Sequence, residues 1–364
     1  MIRPPDYISK IKPYVPGKPI EELERELGIK NSVKLASNEN PIGPSPMALK
    51  AVLENLSGSN ISSGMNRYPD GNGYYLKNAL ADKLSIDREE IILGNGSNEV
   101  IDIAVRTFMQ PGDEAVMASP SFVVYPIDVQ AMGGRRIEIP LKNYTHDLKA
   151  MGEAVTPRTK MLFVANPNNP TGTINKKDEF DRLMDRTPEG VLVVVDEAYY
   201  EYVTDPDYAD SMKHFREGRD ILILRTFSKI YGLASLRIGY GIAKKEIVAE
   251  MNKVRPPFNT SSIAQKAAIN ALNDNSHVNM TKEVNKAGKS YLYKELDSLG
   301  LKHVPSQTNF IYIPLGQDAN ALYDKLLGQG IIVRPMGSQE IRVTIGLPEE
   351  NKRFIEALKV AIGQ

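Results

Sequence analysis

The chain contains no cysteine, which removes disulfides, thiolate zinc sites and cysteine nucleophiles from the chemistry open to it. Histidine is scarce, and His146, His214, His277 and His303 lack the short spacings that metal ligands share. Neither sign of charge predominates, with 45 lysines and arginines against 45 aspartates and glutamates. The summed field therefore attracts neither nucleic acid nor an anionic membrane, and any anion must be gripped by a local cluster. Long apolar runs are missing too. The longest, such as Val191 to Val195, are strand-sized, and prolines and charges fill Met1 to Lys12, where a secretory signal would be apolar. A cytoplasmic protein with no membrane or nucleic-acid partner is expected.

What is present is ordinary for a globular protein: 364 residues, 41% hydrophobic and 25% charged. That length favours a large domain and a smaller one with a cleft between them. Pro4, Pro5, Pro13 and Pro16 make the N-terminus an extended arm, and Pro19 with Ile20, Leu23 and Leu27 opens a short amphipathic helix. From about Ser45, strand-like runs at 91–93, 115–118, 136–139, 161–165, 191–195 and 221–224 alternate with helical patterns. Alternation of this kind means crossover units and a mainly parallel sheet. The runs 161–165 and 191–195 are apolar at every position, as in strands covered on both faces. After Pro256 and Pro257 the pattern turns to a long helix, 276–299, and short strands at 309–313, 331–334 and 341–345. The expected division is an arm, 1–44, that packs with the small domain, a large domain, 45–258, and a small α+β domain, 259–364. No internal repeat or low-complexity segment interrupts it.

In open α/β sheets, ligands sit beyond the carboxyl ends of strands. Three polar clusters occupy that position: 166–172 after one strand, Asp196-Glu-Ala-Tyr199 after the next, and Thr226-Phe-Ser-Lys229 after the third. A fourth, Gly94-Asn-Gly-Ser-Asn-Glu99, opens a helix whose first amides suit an anion, although Ser97 alone could be only an N-cap.

In order and spacing, Asn169-Pro-Thr-Gly172, Asp196-Glu-Ala-Tyr199 and Thr226-Phe-Ser-Lys229 with Arg237 resemble the fold-type I aminotransferases over essentially the whole chain. Tyr14-Val-Pro-Gly17, the stretch from Asn38 through Asn40 to Pro46, and Arg67-Tyr-Pro-Asp70 look like the histidinol-phosphate aminotransferase family within them. The resemblance implies an α/β large domain with a mainly parallel seven-stranded sheet and pyridoxal 5'-phosphate as cofactor. It also implies amino transfer between histidinol phosphate and 2-oxoglutarate, yielding glutamate, and a homodimer with shared active sites.

Such a cofactor needs a lysine amine for its aldehyde, an acid near its ring nitrogen and a cradle for its phosphate. Lys229 matches the lysine and Asp196 the acid, whose plainer reading is a strand-end cap. Thr226, Ser228 and Arg237, with the amides of Ser97 and Asn98, match the cradle. Tyr199 and Asn169 match the groups that hydrogen-bond the ring oxygen. Phe122 matches the aromatic stacked on the ring, or is a core residue. Tyr68 matches a tyrosine that reaches the neighbouring subunit's phosphate, where local chemistry alone gives a turn. Tyr14, Asn40, Arg334 and Arg342 are the candidate substrate contacts, Arg342 matching the arginine for the substrate anion. Ile230 and Ser235 depart from the family pattern without removing a functional group. The rival readings are an aromatic amino-acid aminotransferase, a decarboxylase of a phosphorylated amino acid, and a non-catalytic ligand sensor. No helix-turn-helix segment or basic extension supports the sensor.

Overall fold

In the computed structural model, residues 2–56 and 66–363 are described. A short strand β1 (Val33–Lys34) precedes the strands of the large sheet, which are β2 (Ile91–Gly94), β3 (Glu114–Ser119), β4 (Arg135–Pro140), β5 (Thr159–Ala165), β6 (Leu192–Asp196), β7 (Ile221–Thr226) and β8 (Gly239–Ile242). Their order across the sheet is β2-β8-β7-β6-β5-β3-β4. Only β8 runs against its neighbours, antiparallel to β2 and to β7; the pairs from β7 to β4 are parallel.

Side chains on successive strand residues point to opposite faces, and each face here has its own core. Leu162, Val164, Val193, Val195, Ile221 and Ile223 pack into one cluster. Met161, Phe163, Leu192, Val194, Leu222 and Leu224 pack into the other. Runs that are apolar at every position follow directly from this double cover.

Six of the seven strands lie where the apolar runs place them. The exception is β8, Gly239-Tyr-Gly-Ile242, whose two glycines hide it. They are there for close packing. A Cβ at Gly239 would stand 2.5 Å from the amide nitrogen of Ser97, and one at Gly241 would stand 2.9 Å from side-chain carbons of Leu222 and Val100.

The smaller unit carries β9 (Phe310–Pro314), β10 (Ile331–Ile332), β11 (Arg334–Pro335) and β12 (Glu340–Thr344). Antiparallel pairing gives the order β11-β12-β9, while β10 pairs in parallel with β1 of the arm, Val33 opposite Ile331. The run 331–334 therefore divides at Val333 between two sheets instead of forming one strand. Helices Asn275–Ser298 and Pro348–Ile362 cover this sheet through Leu292, Leu296, Phe354 and Leu358. The helix Ser262–Asn273 packs instead into the core of the large sheet through Ala264, Ala268 and Ala271. Large-sheet packing thus runs past residue 258. The arm helix Ile20–Leu27 buries Leu23 against Ala36 and Ile332. No helix among the described residues is long and apolar enough to cross a membrane.

Candidate active site

The carboxyl ends of β5, β6 and β7 open into one cleft of about 190 Å³. Parallel strands deliver the three polar clusters to the same rim. Asn169, Asp196, Tyr199, Thr226, Ser228 and Lys229 line it together. Ser97 and Asn98 from the helix after β2, Phe122, Arg237, Arg342 and Tyr14 complete the wall.

Lys229 Nζ donates to the backbone carbonyls of Ser37 and Asn38, each at 3.3 Å, and lies 5.6 Å from the ring centre of Tyr199. Burial, reinforced by the Arg342 and Arg237 charges, brings its ammonium down to about 8. Asp196 ends β6 and is buried, which raises its carboxyl. Opposing that shift, the Tyr125 hydroxyl donates to its Oδ2 at 2.7 Å and the Ala198 amide donates to its Oδ1 at 3.1 Å. Tyr199, pushed up to about 12 by burial, stays a phenol. Its oxygen accepts from Asn38 Nδ2 at 2.8 Å, which leaves its own O–H free to donate.

The anion end is built from backbone. Gly96, at φ 76°, precedes helix Ser97–Phe108 with no side-chain cap, so the first amides of the helix stay open. A Cβ at Gly96 would come within 2.6 Å of Arg237 Nη2, so glycine is what lets the guanidinium lie against the turn. Arg237 itself is left-handed, φ 54°, with Nη1 3.1 Å from the Ala234 carbonyl and 3.5 Å from Ser228 Oγ. Thr226 Oγ1 donates to Ser228 Oγ at 3.1 Å.

Across the cleft, Arg342 is buried. Its Nη1 donates to Asn169 Oδ1 at 2.5 Å and its Nη2 to the Ala36 carbonyl at 2.6 Å, while Nε has no partner among the described residues. Because Asn169 uses its oxygen on the arginine, its amide N–H groups remain for the cleft.

Three of the sequence candidates lie outside this lining. Asn40 donates to the Ile230 carbonyl at 2.9 Å and to Thr281 Oγ1 at 3.2 Å, a tie between loops. Arg334 Nη2 donates to the Val15 carbonyl at 2.7 Å, with its guanidinium carbon 5.5 Å from the Tyr14 ring centre. Tyr68 is 82% exposed and stacks on Phe258 at 4.7 Å. Of the departures, Ile230 is fully buried and Ser235 is exposed.

Tyr125, Asn38 and His146 were not among the sequence candidates. His146 Nε2 lies 3.1 Å from Asn168 Oδ1 and 3.4 Å from Ser121 Oγ, so it links the loop bearing Phe122 to the loop bearing Asn169. Asn38 lies inside a quoted motif and could have been found there. Tyr125, in the first turn of helix Val124–Ala131, carries no signal of its own in the sequence.

Residues 30–358 match the family described as aminotransferase class I and II. A histidinol-phosphate aminotransferase of Moorella thermoacetica is 51% identical over 97% of this chain and 91% of its own. One from Caldicellulosiruptor saccharolyticus is 47% identical over 97% and 98%. Among solved structures, a histidinol-phosphate aminotransferase from Sinorhizobium meliloti in complex with pyridoxal-5'-phosphate superposes with a TM-score of 0.91. It is 28% identical, over 100% of this chain and 98% of that one. With its fold-type I α/β architecture, the chain belongs to the class I and II aminotransferases and, within them, to the histidinol-phosphate aminotransferase family.

Proposed function

We propose that the chain is a cytoplasmic homodimeric enzyme that uses pyridoxal 5'-phosphate to move the amino group of histidinol phosphate to 2-oxoglutarate. The products are imidazole acetol phosphate and glutamate, in histidine biosynthesis. One observation carries the reading: a buried amine of lowered basicity, a buried carboxylate and an open helix N-terminus with an arginine line a single cleft.

The residues fit the cofactor. Gly96 and Gly239 leave space that a Cβ would fill, beside the Ser97 amide and Arg237. Ser97, Asn98, Thr226, Ser228 and Arg237 would hold the phosphate, and Phe122 would face the ring. When bound, the cofactor supplies an aldehyde for amines and a ring that takes up the electron pair left on the substrate carbon.

The chain's own groups do the rest. Lys229 Nζ, close to neutrality near pH 8, can lose a proton at modest cost, and so serves both as the anchoring amine and as the proton carrier at the substrate carbon. Asp196, whose carboxylate accepts from Tyr125 and the Ala198 amide, would pair with a ring N–H. The Tyr199 O–H and the Asn169 amide would donate to the ring oxygen. Arg342, which lines the cleft, would receive the substrate anion: phosphate in one half-reaction, carboxylate in the other.

The dimer rests on exposed apolar groups. Leu49, Leu53 and Leu56 recur at helical spacing on helix Pro46–Leu56, and Tyr68 with Phe258 stands equally uncovered. Tyr68 is assigned to the partner's phosphate cradle.

The deciding experiment mixes purified protein, cofactor, histidinol phosphate and 2-oxoglutarate, follows glutamate, and repeats the assay with phenylalanine as donor. Faster turnover of phenylalanine would replace this reading with an aromatic aminotransferase.

A further inference from the structure

One buried side chain of the cleft, Asn38, has no part in the proposed chemistry. It lines the cleft, is 2% exposed and stands in the left-handed region at φ 56°. Outside glycine such backbone is uncommon, is tolerated best by asparagine and aspartate, and gathers where a functional site holds it in place. Here it is held from both sides. The Asn38 amide donates to Thr344 Oγ1 at 2.9 Å, and its carbonyl accepts from Asn309 Nδ2 at 3.1 Å and from Lys229 Nζ at 3.3 Å.

That backbone aims the side chain. Thr344 Oγ1 accepts the Asn38 amide proton and gives its own proton to Asn38 Oδ1 at 3.2 Å. With its oxygen spent on this hydroxyl, the carboxamide turns its nitrogen to the large unit, where Nδ2 donates to Tyr199 Oη at 2.8 Å. Asn38, Thr344 and Tyr199 are all buried, so these bonds form away from bulk water and at low dielectric.

Tyr199 has little other freedom. Its ring meets the fully buried Phe310 edge-on at 5.1 Å, which leaves rotation of the O–H as the soft coordinate. Burial pushes the phenol up to about 12, so one proton is there to be placed. An oxygen that accepts from an amide N–H cannot give its hydrogen to the same N–H. The proton is turned away from Asn38, toward the cleft that Tyr199 lines.

We infer, on the reading of the cofactor proposed for this cleft, that Asn38 is a positioning residue: by donating to Tyr199 it fixes the direction of the phenolic O–H, and with it the hydrogen bond that Tyr199 gives to the cofactor's ring oxygen. Direction and packing respond oppositely to substitution. Asn38→Asp keeps the shape and tolerates the left-handed backbone, but a carboxylate only accepts, so it draws the Tyr199 proton to itself and away from the ring oxygen. Asn38→Gly also suits φ 56° and keeps the backbone contacts to Thr344, Asn309 and Lys229, yet leaves the phenol undirected.

The test titrates cofactor-free protein with pyridoxal 5'-phosphate and with its analogue lacking the ring hydroxyl. The ratio of the two dissociation constants reads the bond to the ring oxygen and cancels any change that weakens both compounds alike. Asn38→Asp should lower the preference for the hydroxylated compound about tenfold or more, the size of one hydrogen bond to a charged group, and Tyr199→Phe should do the same. Asn38→Gly should lower it less, and should have no effect on a Tyr199→Phe background. A packing role predicts the reverse: glycine worse than aspartate, and both compounds losing together. That pattern, an unchanged preference in Asn38→Asp, or a glycine effect that survives Tyr199→Phe would overturn the inference. If the unmodified protein binds neither compound, the cofactor reading falls with it, whereas a normal preference indifferent to Asn38 sinks the inference alone and leaves the proposed transamination standing.

Discussion

Tyr125 donates its phenolic proton to Asp196 Oδ2 at 2.7 Å, and both side chains are buried. The tyrosine also stacks on Phe163 at 4.8 Å, so Tyr125→Phe keeps the packing and removes only the donor. A hydrogen bond to a charged group is worth ~1.5–3 kcal/mol, so turnover should fall roughly tenfold to a hundredfold. Steady-state kinetics and a cofactor titration measure it. Unchanged values would mean that Asp196 needs no such support.

Lys229 should react with cofactor as a weakened base. Only the neutral amine attacks, so the capture rate of cofactor-free protein should climb about tenfold per pH unit below about 8 and level off above it. A lysine at its ordinary 10.5 would still be climbing there. Stopped-flow absorbance across that range decides. Arg342→Gln removes a neighbouring positive charge and should move the break upward.

Acid stability should carry the mark of His146, which burial lowers to about 4 from 6.5. Between those values the unfolded chain takes up a proton that the folded chain refuses, so stability is lost as pH falls through the window. The shift corresponds to ~3 kcal/mol. His146→Gln should flatten the dependence of melting temperature on pH over that range, and an unchanged slope would assign the acid sensitivity elsewhere.

Arg342→Lys keeps a charge and loses the fork that reaches Asn169 and Ala36. Both half-reactions should weaken, by on the order of a few kcal/mol. Arg334→Lys should hurt histidinol phosphate more than glutamate, because a doubly charged phosphate gains more from a second cation and from the Tyr14 segment that Arg334 ties down. Single-turnover spectra with each substrate separate the two. Equal losses in Arg334→Lys would deny it a selective role.

Mixing Lys229→Ala with Tyr68→Phe subunits should restore part of the activity that each lacks, since one site of a mixed dimer then carries neither change. No recovery, with mixed dimers verified by mass, would place Tyr68 outside the partner's site.

The legible parts of this molecule are those where one local pattern has one physical cause. Buried parallel strands read as unbroken aliphatic runs, and the clusters beyond β5, β6 and β7 could be assigned to one cleft because parallel strands leave their ends together. The strand β8 escaped because glycines chosen for close packing look like loop. The direction of Asn40 was illegible for a different reason: position in a motif does not give side-chain direction, and its amide turns to Ile230 and Thr281. Tyr125 was missed because its partner lies 71 residues away in the chain.

One consequence follows from the reversal of β8. Thr226 pairs with Gly239 across the antiparallel ladder, so the chain arrives at the cleft at the end of β7 and leaves it at the start of β8. Lys229 and Arg237 are thus two points on a single closed excursion, pinned at both ends by the sheet. The excursion works as a calliper: its jaws are an amine and a guanidinium, and its opening is set by the number of residues between them. Substitutions within it change the grip, whereas inserting or deleting a residue would reset the length of molecule it measures.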